Sequence, residues 1–419
     1  MKQGKNFIHF VSGSLRIVTK GNLYYWLWVL FLLVLIVVGV TAYFHQLNEG
    51  LIETNMRDQV SWGFYIGNFT FLVGVAAAAV VLVIPAYIYH WGPIKEIVIL
   101  GELLAVSACV MCVLFVTVDI GHPERFWHMI PGLGVLNVPA SILAWDVVAL
   151  NAYLLLNLTI VTYLLYCGFR KKSYRPSIVW PLVILSIPMA VSIHTVTAFV
   201  YNSMPARPFW NTAILAPRFL VSAFCSGPAI LLVMLQILRK TTRLEIKDEA
   251  IWKIAELMAY AMFVNLFLQG VEIFTEFYSN TEHTLFARYM FFGLHGHEAV
   301  VPYAWASIAC GIVAFILFLN PRTRKNYITL NLGCFLIYIG VYLEKGMCLV
   351  IPGLTPDTLG EIYEYAPTLT EWLVTCGIFS VGFLLLTLMV KVAVEISMGS
   401  FTVESGAGNA APAPVNSSS

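Results

Sequence analysis

Long apolar segments follow one another along almost the whole chain, separated by short polar stretches. Each is about 20 residues or longer, which is enough for a helix to cross the hydrocarbon core of a bilayer. Their apolar residues do not alternate with polar ones, as they would in the strands of a membrane barrel. Ten spans are predicted, at residues 22–44, 62–89, 94–118, 139–168, 178–201, 216–238, 252–278, 299–319, 326–351 and 370–397. We therefore predict an all-α integral membrane protein with about ten transmembrane helices.

Composition supports a membrane protein. Of the 419 residues, 59% are hydrophobic and 11% are charged, and the mean hydropathy is +0.80. Soluble domains carry about 25% charged residues, which they need to cover a surface in water. The net charge of +1 gives no indication of nucleic-acid binding.

The distribution of Lys and Arg predicts the orientation. With the N-terminus in the cytoplasm, eighteen of the 24 basic residues fall at the inner ends of the spans and in the inner loops, and six fall outside. Basic residues favour the cytoplasmic side of a membrane protein, so both termini are expected to be cytoplasmic. The chain then divides into a cytoplasmic N-terminal segment (1–21), a polytopic transmembrane domain (22–397) and a disordered cytoplasmic tail (398–419), which is rich in Ser, Ala, Gly and Pro.

Ionisable residues within the spans are concentrated at one depth. Such residues are costly in a bilayer, and each is a hypothesis for a functional site. The outer halves of the spans hold Asp146, His194, Arg218, Glu272, Glu276, Glu344 and Lys345. Asp119 and Arg125 follow just beyond the third span, whereas Glu102 and Glu256 are the clear acids of the inner halves. These positions indicate one polar region that opens toward the outer face.

Helical spacing places several polar residues on common faces. The sets are Asn265, Gln269, Glu272 and Glu276; Asp146, Tyr153 and Asn157; and His194, Thr197 and Tyr201. Such faces serve either hydrogen bonding between helices or a reaction. Function is favoured for Asp146, Glu272 and His194, because interhelical hydrogen bonding rarely requires a charge. For the uncharged residues Tyr153, Asn157, Asn265 and Gln269, both interpretations stay open.

The histidines and cysteines predict neither haem nor a metal site. A haem held within a bundle needs paired histidines on facing helices, and only His194 lies well inside a span. The C-x-x-C pair Cys109 and Cys112 lies within an apolar span without further ligands nearby, so helix packing is the expected role of the cysteines. For the His295–Glu298 cluster, an outer-loop interface is favoured over a metal. We expect no haem, iron–sulfur cluster or bound metal in this chain.

The outer loops carry the most distinctive strings. They are Asp119–His128 after the third span, Tyr201–Trp210 after the fifth, and Pro217–Phe219. Together they offer buried charge, imidazole and aromatic rings. A quinone headgroup requires hydrogen-bond donors for its carbonyl oxygens, a titratable group and flat apolar walls. The outer polar region therefore suits a quinone.

These strings resemble the NrfD/PsrC family, the membrane subunits of polysulfide-reductase-type respiratory complexes. The matching pieces are Ser61–Asn68, Asp119–His128, Ser141–Asp146, His194–Trp210, Glu344–Gly346, Ile351–Gly353 and Tyr365–Glu371. The likeness covers most of the chain. It looks closest to the ten-helix branch, which includes DsrP of the sulfite-reduction-associated DsrMKJOP complex, HmcC and HybB.

The resemblance implies a fold and a role. The fold would be two four-helix bundles plus extra helices. The chain would exchange electrons between menaquinone, or another quinone, and a ferredoxin-like iron–sulfur subunit on the outer face of the cell membrane, in sulfur- or sulfite-linked metabolism. Multihaem cytochrome c and other membrane or cytoplasmic redox subunits are further expected partners. The chain would be a subunit of an oxidoreductase and not a stand-alone enzyme.

The resemblance also assigns residues to the quinone pocket. It assigns catalytic roles to Asp146, His194 and Asp119. It assigns quinone binding to Arg125, Trp127, His128, Tyr201 and Arg218.

Two other functions stay open. The chain could conduct protons or transport an ion, by a route through Glu102, Glu256, Asn157, Glu272, Glu276, Glu344 and Lys345. It could also be a structural anchor of the complex. The few polar groups of the inner half argue against a complete route, although proton uptake from inside could accompany quinone chemistry.

Overall fold

The computed structural model describes residues 2–76, 78–89, 91–95, 97–130, 132–281 and 283–403. Most of the predicted disordered tail, from residue 404 onward, lies outside the described residues. In the described ranges the chain is helical and forms no strand beyond an isolated bridge between Leu294 and His297. The prediction of an all-α membrane protein is confirmed.

Sixteen α-helices are described. They are α1 (Lys2–Val18), α2 (Leu23–Glu49), α3 (Phe64–Ala76), α4 (Ala78–Val83), α5 (Gly92–Lys95), α6 (Val98–Asp119), α7 (Ile142–Phe169), α8 (Pro176–Asn202), α9 (Leu215–Thr241), α10 (Asp248–Ser279), α11 (His283–Phe292), α12 (Val301–Leu319), α13 (Pro321–Arg324), α14 (Tyr327–Lys345), α15 (Met347–Leu354) and α16 (Leu369–Ser397).

Nine helical segments in the described part of the chain are long and apolar enough to cross a membrane. They are α2, α6, α7, α8, α9, α10, α12, α14 continued by α15, and α16. The remaining predicted span, residues 62–89, is divided into α3, α4 and a π-helical turn, Ile84–Ile88. Pro85 lies in that turn, where its missing N–H and its ring disturb the regular helix. About ten spans are therefore present, as predicted.

The spans form two four-helix bundles and a peripheral pair. The first bundle contains α3 with α4, α6, α7 and α8, and the second contains α9, α10, α12 and α14. The helix α9 packs against α3, α4 and α8 and so joins the bundles. The pair α2 and α16 packs against α6. Two bundles plus extra helices agree with the fold that the resemblance implied.

Small residues set the distance between α2 and α16. A Cβ atom placed on Gly39 would lie 2.6 Å from the Cα of Gly377. Only glycine at both positions permits this approach of the two backbones, which is how many membrane helices pack.

One end of the molecule is covered by aromatic residues from several connections. We call it the outer end, as the charge distribution predicts; it comprises the connections at residues 50–63, 120–141, 203–214, 293–300 and 355–368, with α11 and α15. Trp210, Tyr201 and Tyr289 are each at most 1% exposed there. This layer closes the outer ends of both bundles over the polar groups beneath it.

Helix α1 was not predicted, because its sequence has no long apolar run. Its Phe10 is buried and lies against Tyr166, Phe169 and Phe401 at the opposite end of the molecule. The predicted N-terminal segment is therefore an ordered helix packed on the bundle.

Candidate functional site

Asp146 and Thr197 join α7 to α8 near the outer end of the first bundle. Helix α7 begins after Ser141, whose hydroxyl accepts a hydrogen bond from the Ala144 N–H at 3.3 Å. This cap places Asp146 in the second turn, where it is 8% exposed. The Thr197 hydroxyl donates to Asp146 Oδ1 at 2.6 Å. A buried carboxyl group is thus held in a defined direction by a neighbouring helix.

His194 lies one turn from Thr197 and is completely buried. Its Nδ1 lies 2.8 Å from the carbonyl oxygen of Ala190. Because a carbonyl only accepts, Nδ1 carries the proton and Nε2 presents a lone pair. Among the described residues, Nε2 has no hydrogen-bond partner. The imidazole is therefore arranged to accept a hydrogen bond or a proton from a molecule that is not part of the chain.

Tyr201 continues the same face of α8. Its hydroxyl shares a short hydrogen bond with Thr70 of α3. Its ring meets Trp62 edge-on at 5.6 Å between centroids and Trp210 at 5.0 Å. The indole N–H of Trp210 donates to the Leu349 carbonyl at 2.8 Å, which fixes the ring. We call Asp146, His194, Thr197 and Tyr201 the α8 cluster; it combines polar groups with aromatic walls.

A second group of charges occupies the outer half of the second bundle. Arg218 of α9 forms ion pairs with Glu272 of α10 and with Glu344 of α14, the latter at 2.7 Å. Asn265 Nδ2 donates to the other oxygen of Glu344 at 3.0 Å. Lys345 Nζ lies 3.4 Å from Glu344 and 4.6 Å from the centre of the Phe219 ring. We call these five polar residues the charge cluster.

The charge cluster borders a small cavity. Arg218, Glu272 and Glu344 line it together with apolar side chains that include Met290, Phe291 and Leu349. Its free space is about 30 Å³, room for roughly one or two water molecules. Arg218 Nε and Asn265 Oδ1 are buried and have no partner within the described part of the chain. The cavity suits water bound to charges rather than an aromatic ring.

Helix α3 lies between the two clusters. Its Thr70 bonds Tyr201 of the α8 cluster, and its Asn68 accepts a hydrogen bond from Tyr342 of α14 at 2.9 Å. Gly67 faces the Gly346 backbone, where a Cβ would lie 3.3 Å from the Gly346 Cα. The outer ends of the two bundles are therefore connected through one helix.

Four residues predicted for the quinone site lie at the end of α6 and in the connection that follows it. Asp119 ends α6 and is half-buried, and its Oδ1 has no partner among the described residues. Arg125, Trp127 and His128 lie on an exposed 3₁₀ segment, Pro123–Met129. Among the described residues, no hydrogen bond, ion pair or ring contact joins these three to Asp146 or His194. Their role in a quinone pocket stays a prediction.

A neighbouring polar group lies at the outer end of α16. Glu371 is buried and accepts hydrogen bonds from the Tyr365 hydroxyl and from the N–H groups of Asn55 and Thr368. Burial, and then the Glu371 carboxylate, raise the pKa of Tyr365 in the preceding loop. That hydroxyl therefore stays protonated and donating. Tyr365 and Glu371 belong to strings that the sequence singled out, but spacing did not predict their contact.

The residues predicted for a proton route are separated. Glu102 and Asn157 are buried in the inner half of the first bundle, where Asn157 bonds the Tyr153 carbonyl at 2.8 Å. Glu256 lies partly exposed on α10 and bonds Tyr260 and Lys253. Glu272, Glu344 and Lys345 belong to the charge cluster, and Glu276 is buried one turn further out on α10. Arg218, predicted for quinone binding, pairs with Glu272 and Glu344, and its role at a quinone stays a prediction.

Sequence reasoning gave no role to Trp62, Thr70 or the Tyr342–Asn68 pair, although Trp62 and Asn68 lie in the string Ser61–Asn68. Each acts across helices, and spacing within one helix does not reveal such partners. In the described ranges, no three His, Cys, Asp or Glu residues lie together as metal ligands. The absence of haem, of an iron–sulfur cluster and of bound metal stays a prediction.

Comparison with known proteins places this architecture in a family. The family model "Polysulphide reductase, NrfD" matches residues 52–356. A putative membrane subunit of a dimethyl sulfoxide reductase from Halobacterium salinarum is 24% identical over 85% of this chain and 88% of its own length. A subunit of the selenate reductase of Mesobacillus selenatarsenatis is 22% identical, over 85% and 91%. An Hdr-like menaquinol oxidoreductase integral membrane subunit of Archaeoglobus fulgidus is 23% identical, over 86% and 92%. The family match covers most of the chain and both helical bundles, and the chain therefore belongs to the polysulphide reductase NrfD family.

Proposed function

We propose that this protein is the quinone-reactive, haem-free membrane subunit of a respiratory redox complex. It exchanges electrons between menaquinone and an iron–sulfur subunit at the outer face of the cell membrane. The observation that carries the proposal is the α8 cluster, where the buried carboxyl group of Asp146 on α7 is bonded to Thr197 of α8, one turn from an imidazole with an open acceptor. The family, and the relative named as a menaquinol oxidoreductase subunit, support it.

The α8 cluster has the groups that a quinol needs. A bound quinol supplies two electrons and two protons on oxidation. His194 Nε2 accepts one hydrogen bond, and Asp146, oriented by Thr197, accepts another. Each group is then placed to take one proton from the quinol, His194 at Nε2 and Asp146 at its carboxylate, which is general-base catalysis. Trp62, Trp210 and Tyr201 supply flat walls.

The small cavity of the charge cluster argues against a quinone ring there. Sites for drug-sized ligands enclose about 300–1,000 Å³, whereas that cavity holds about 30 Å³. In this proposal Arg218, Glu272, Glu344 and Lys345 handle water and protons and do not hold the ring. Glu102 and Glu256 are not required for quinone binding.

Photoaffinity labelling tests the site. The purified protein is irradiated with an azido-menaquinone analogue, and the labelled peptides are identified by mass spectrometry. Label is expected on the outer halves of α7 and α8, and excess menaquinone should remove it. Label confined to α10, α12 and α14 would instead place the quinone at the charge cluster and contradict the proposal.

Proton conduction and anchoring are the competing functions. In proteoliposomes, a proton-conducting protein would dissipate a pH gradient without any quinone, and Asp146→Asn would alter proton release while sparing quinone turnover. A structural anchor would keep normal turnover in both Asp146→Asn and His194→Ala. Under our proposal, both Asp146→Asn and His194→Ala lose normal quinone turnover.

We further propose that the complex works in sulfur- or sulfite-linked metabolism. The family's description as a polysulphide reductase supports this assignment. The purified complex should couple menaquinol oxidation to polysulfide or sulfite reduction, or run the reverse reaction. Coupling to selenate or dimethyl sulfoxide alone would contradict the assignment.

A further inference from the structure

Helix α1 lies where the first spanning helix begins. Only four residues separate the end of α1 at Val18 from the start of α2 at Leu23. The Tyr25 hydroxyl of α2 donates to the Val18 carbonyl at 2.8 Å. Lys391 of α16 donates to the Lys20 carbonyl. These contacts hold α1 at the level where two spanning helices reach the membrane surface.

One face of α1 packs on the bundle. Phe10 is 7% exposed, and its ring centre lies 5.7 Å from that of Tyr166 and 5.5 Å from that of Phe169, both near the end of α7. Phe401 also stacks on Phe10, with ring centres 6.5 Å apart. The orientation of α1 about its own axis is thereby fixed, so its remaining faces are defined.

The adjoining face of α1 is apolar and uncovered. Ile8, Val11 and Leu15 follow at steps of three and four, and they are 69%, 43% and 64% exposed. Phe7, half exposed, lies beside them. Such a row of large apolar side chains is unfavourable in water. In a helix that lies at a membrane surface, it matches the boundary between headgroups and acyl chains.

The residues in and around α1 carry an excess of positive charge, which favours anionic lipid. The sequence contains Lys2, Lys5, Arg16 and Lys20, and no acidic residue before Glu49. Arg16 and Lys20 are exposed. So are Lys171 and Lys172, which follow the end of α7 beside α1. Basic residues near an anionic membrane surface are attracted to it electrostatically.

We propose that α1 is an interfacial helix that binds anionic phospholipid. Its Ile8–Leu15 face enters the acyl boundary of the leaflet where α2 begins, and Arg16, Lys20 and the two lysines after α7 contact the lipid phosphates. The uncovered apolar face and the excess of basic residues around it, which Glu395 of α16 offsets only in part, together fit an anionic lipid surface better than a protein partner, which would need no excess of one charge. This inference is independent of the quinone site.

Fluorescence quenching tests the position of the face. Leu15→Cys and Ser12→Cys are made in a Cys376→Ser background, labelled with an environment-sensitive dye, and reconstituted as the full chain in phosphatidylcholine vesicles with one third phosphatidylglycerol. Doxyl-labelled lipid should quench the label at position 15 at least twofold more than at position 12. Aqueous iodide should show the opposite order. Val11→Cys repeats the test if Leu15→Cys does not fold.

Lipid dependence tests the charge. Adding phosphatidylglycerol to phosphatidylcholine should raise the Tm of the wild type, and the double variant Arg16→Gln/Lys20→Gln should lose most of that rise. Equal quenching at positions 12 and 15, or a label at 15 reached mainly by iodide, would overturn the membrane position. An equal wild-type Tm in the two lipids would overturn the anionic preference.

Discussion

His194 of α8 and Asp146 of the neighbouring helix α7 are both hydrogen-bond acceptors in the α8 cluster. Nδ1 of His194 is committed to a backbone carbonyl, so its open atom is an acceptor, and Asp146 is also an acceptor whose direction the Thr197 hydroxyl sets. A quinol carries two hydroxyl donors, and in our proposal one of them goes to each acceptor. A site built only for helix packing would supply a donor from the chain to His194 Nε2, because a buried acceptor without a donor costs about 1–3 kcal/mol.

Asp146→Asn isolates proton acceptance from structure. The asparagine oxygen still accepts from Thr197, so the fold and the Tm should be retained. Quinone-dependent turnover should fall about 10²–10⁴-fold, because a general base is removed. Steady-state turnover of the complex measures the effect, with Glu256→Gln, an acid on the partly exposed face of α10, as the control that keeps turnover. Equal losses in both variants would contradict a specific role for Asp146.

Thr197→Val tests the positioning of that carboxyl group. The variant keeps the side-chain shape and removes the donor, and hydrogen bonds to charged groups contribute about 1.5–3 kcal/mol. Turnover should fall about tenfold or more, with a shifted pH profile, and Thr197→Ser should restore both. An unchanged pH profile in the valine variant would mean that the bond only stabilises the fold.

The charge cluster should matter for stability in an asymmetric way. Arg218→Met removes the cation that pairs with Glu272 and leaves Lys345 as the cation beside Glu344. The free energy of unfolding is expected to fall by about 3–5 kcal/mol. Glu272→Gln should cost less, since Arg218 keeps Glu344. Thermal unfolding compares these variants with Arg288→Met, whose side chain is exposed. An equal Tm for Arg218→Met and Arg288→Met would contradict the pairing.

At the scale of the elements, the ends of the spans followed from the sequence because bilayer thickness and apolar length set them. The contacts between side chains of different helices could not be predicted from the sequence. Arg218 was assigned to the quinone and Glu272 to a proton route, and the two form an ion pair. Spacing could not predict this pair, because Arg218 lies on α9 and Glu272 on α10. Spacing reports faces of one helix, not which faces meet.

Irregular elements were also beyond the sequence patterns. Arg125, Trp127 and His128 carry suitable chemistry, but they lie in a 3₁₀ segment that follows Gly121 and begins at Pro123, outside any helix that would point them inward. Helix α15, separated from α14 at Gly346, was predicted as the end of one continuous span. Side chains on such elements are placed by tertiary packing, which local pattern does not encode.

The contact of α2 with α16 should respond to a single methyl group. In Gly377→Ala the new Cβ would lie 2.8 Å from the Gly39 Cα. The helices must separate, at a cost of about 1–3 kcal/mol. Gly270→Ala is the matched control, since a Cβ there meets nothing within 4 Å. Thermal unfolding should show a lower Tm for the first variant only, and equal values would mean that the helices adjust freely.

On the scale of the whole molecule, the two ends differ. The outer end holds both polar clusters beneath an aromatic layer, whereas the other end carries α1 and most of the basic residues. Asp58→Cys and Ser173→Cys, exposed in outer and inner connections respectively, test the orientation in a Cys376→Ser background. A membrane-impermeant maleimide should label position 58 in intact cells and position 173 only after permeabilisation. The reverse pattern would move the site to the cytoplasmic side.

In our proposal quinone reacts at the α8 cluster, which takes or supplies the protons while the iron–sulfur subunit takes or supplies the electrons. The most direct measurement is electron transfer between a menaquinol analogue and the iron–sulfur subunit in the purified complex, followed by stopped-flow absorbance for the wild type, Asp146→Asn and His194→Ala. We predict rapid, quinol-dependent transfer in the wild type and its loss in both variants, with their assembly and Tm unchanged. Transfer at the wild-type rate in both variants would contradict the account.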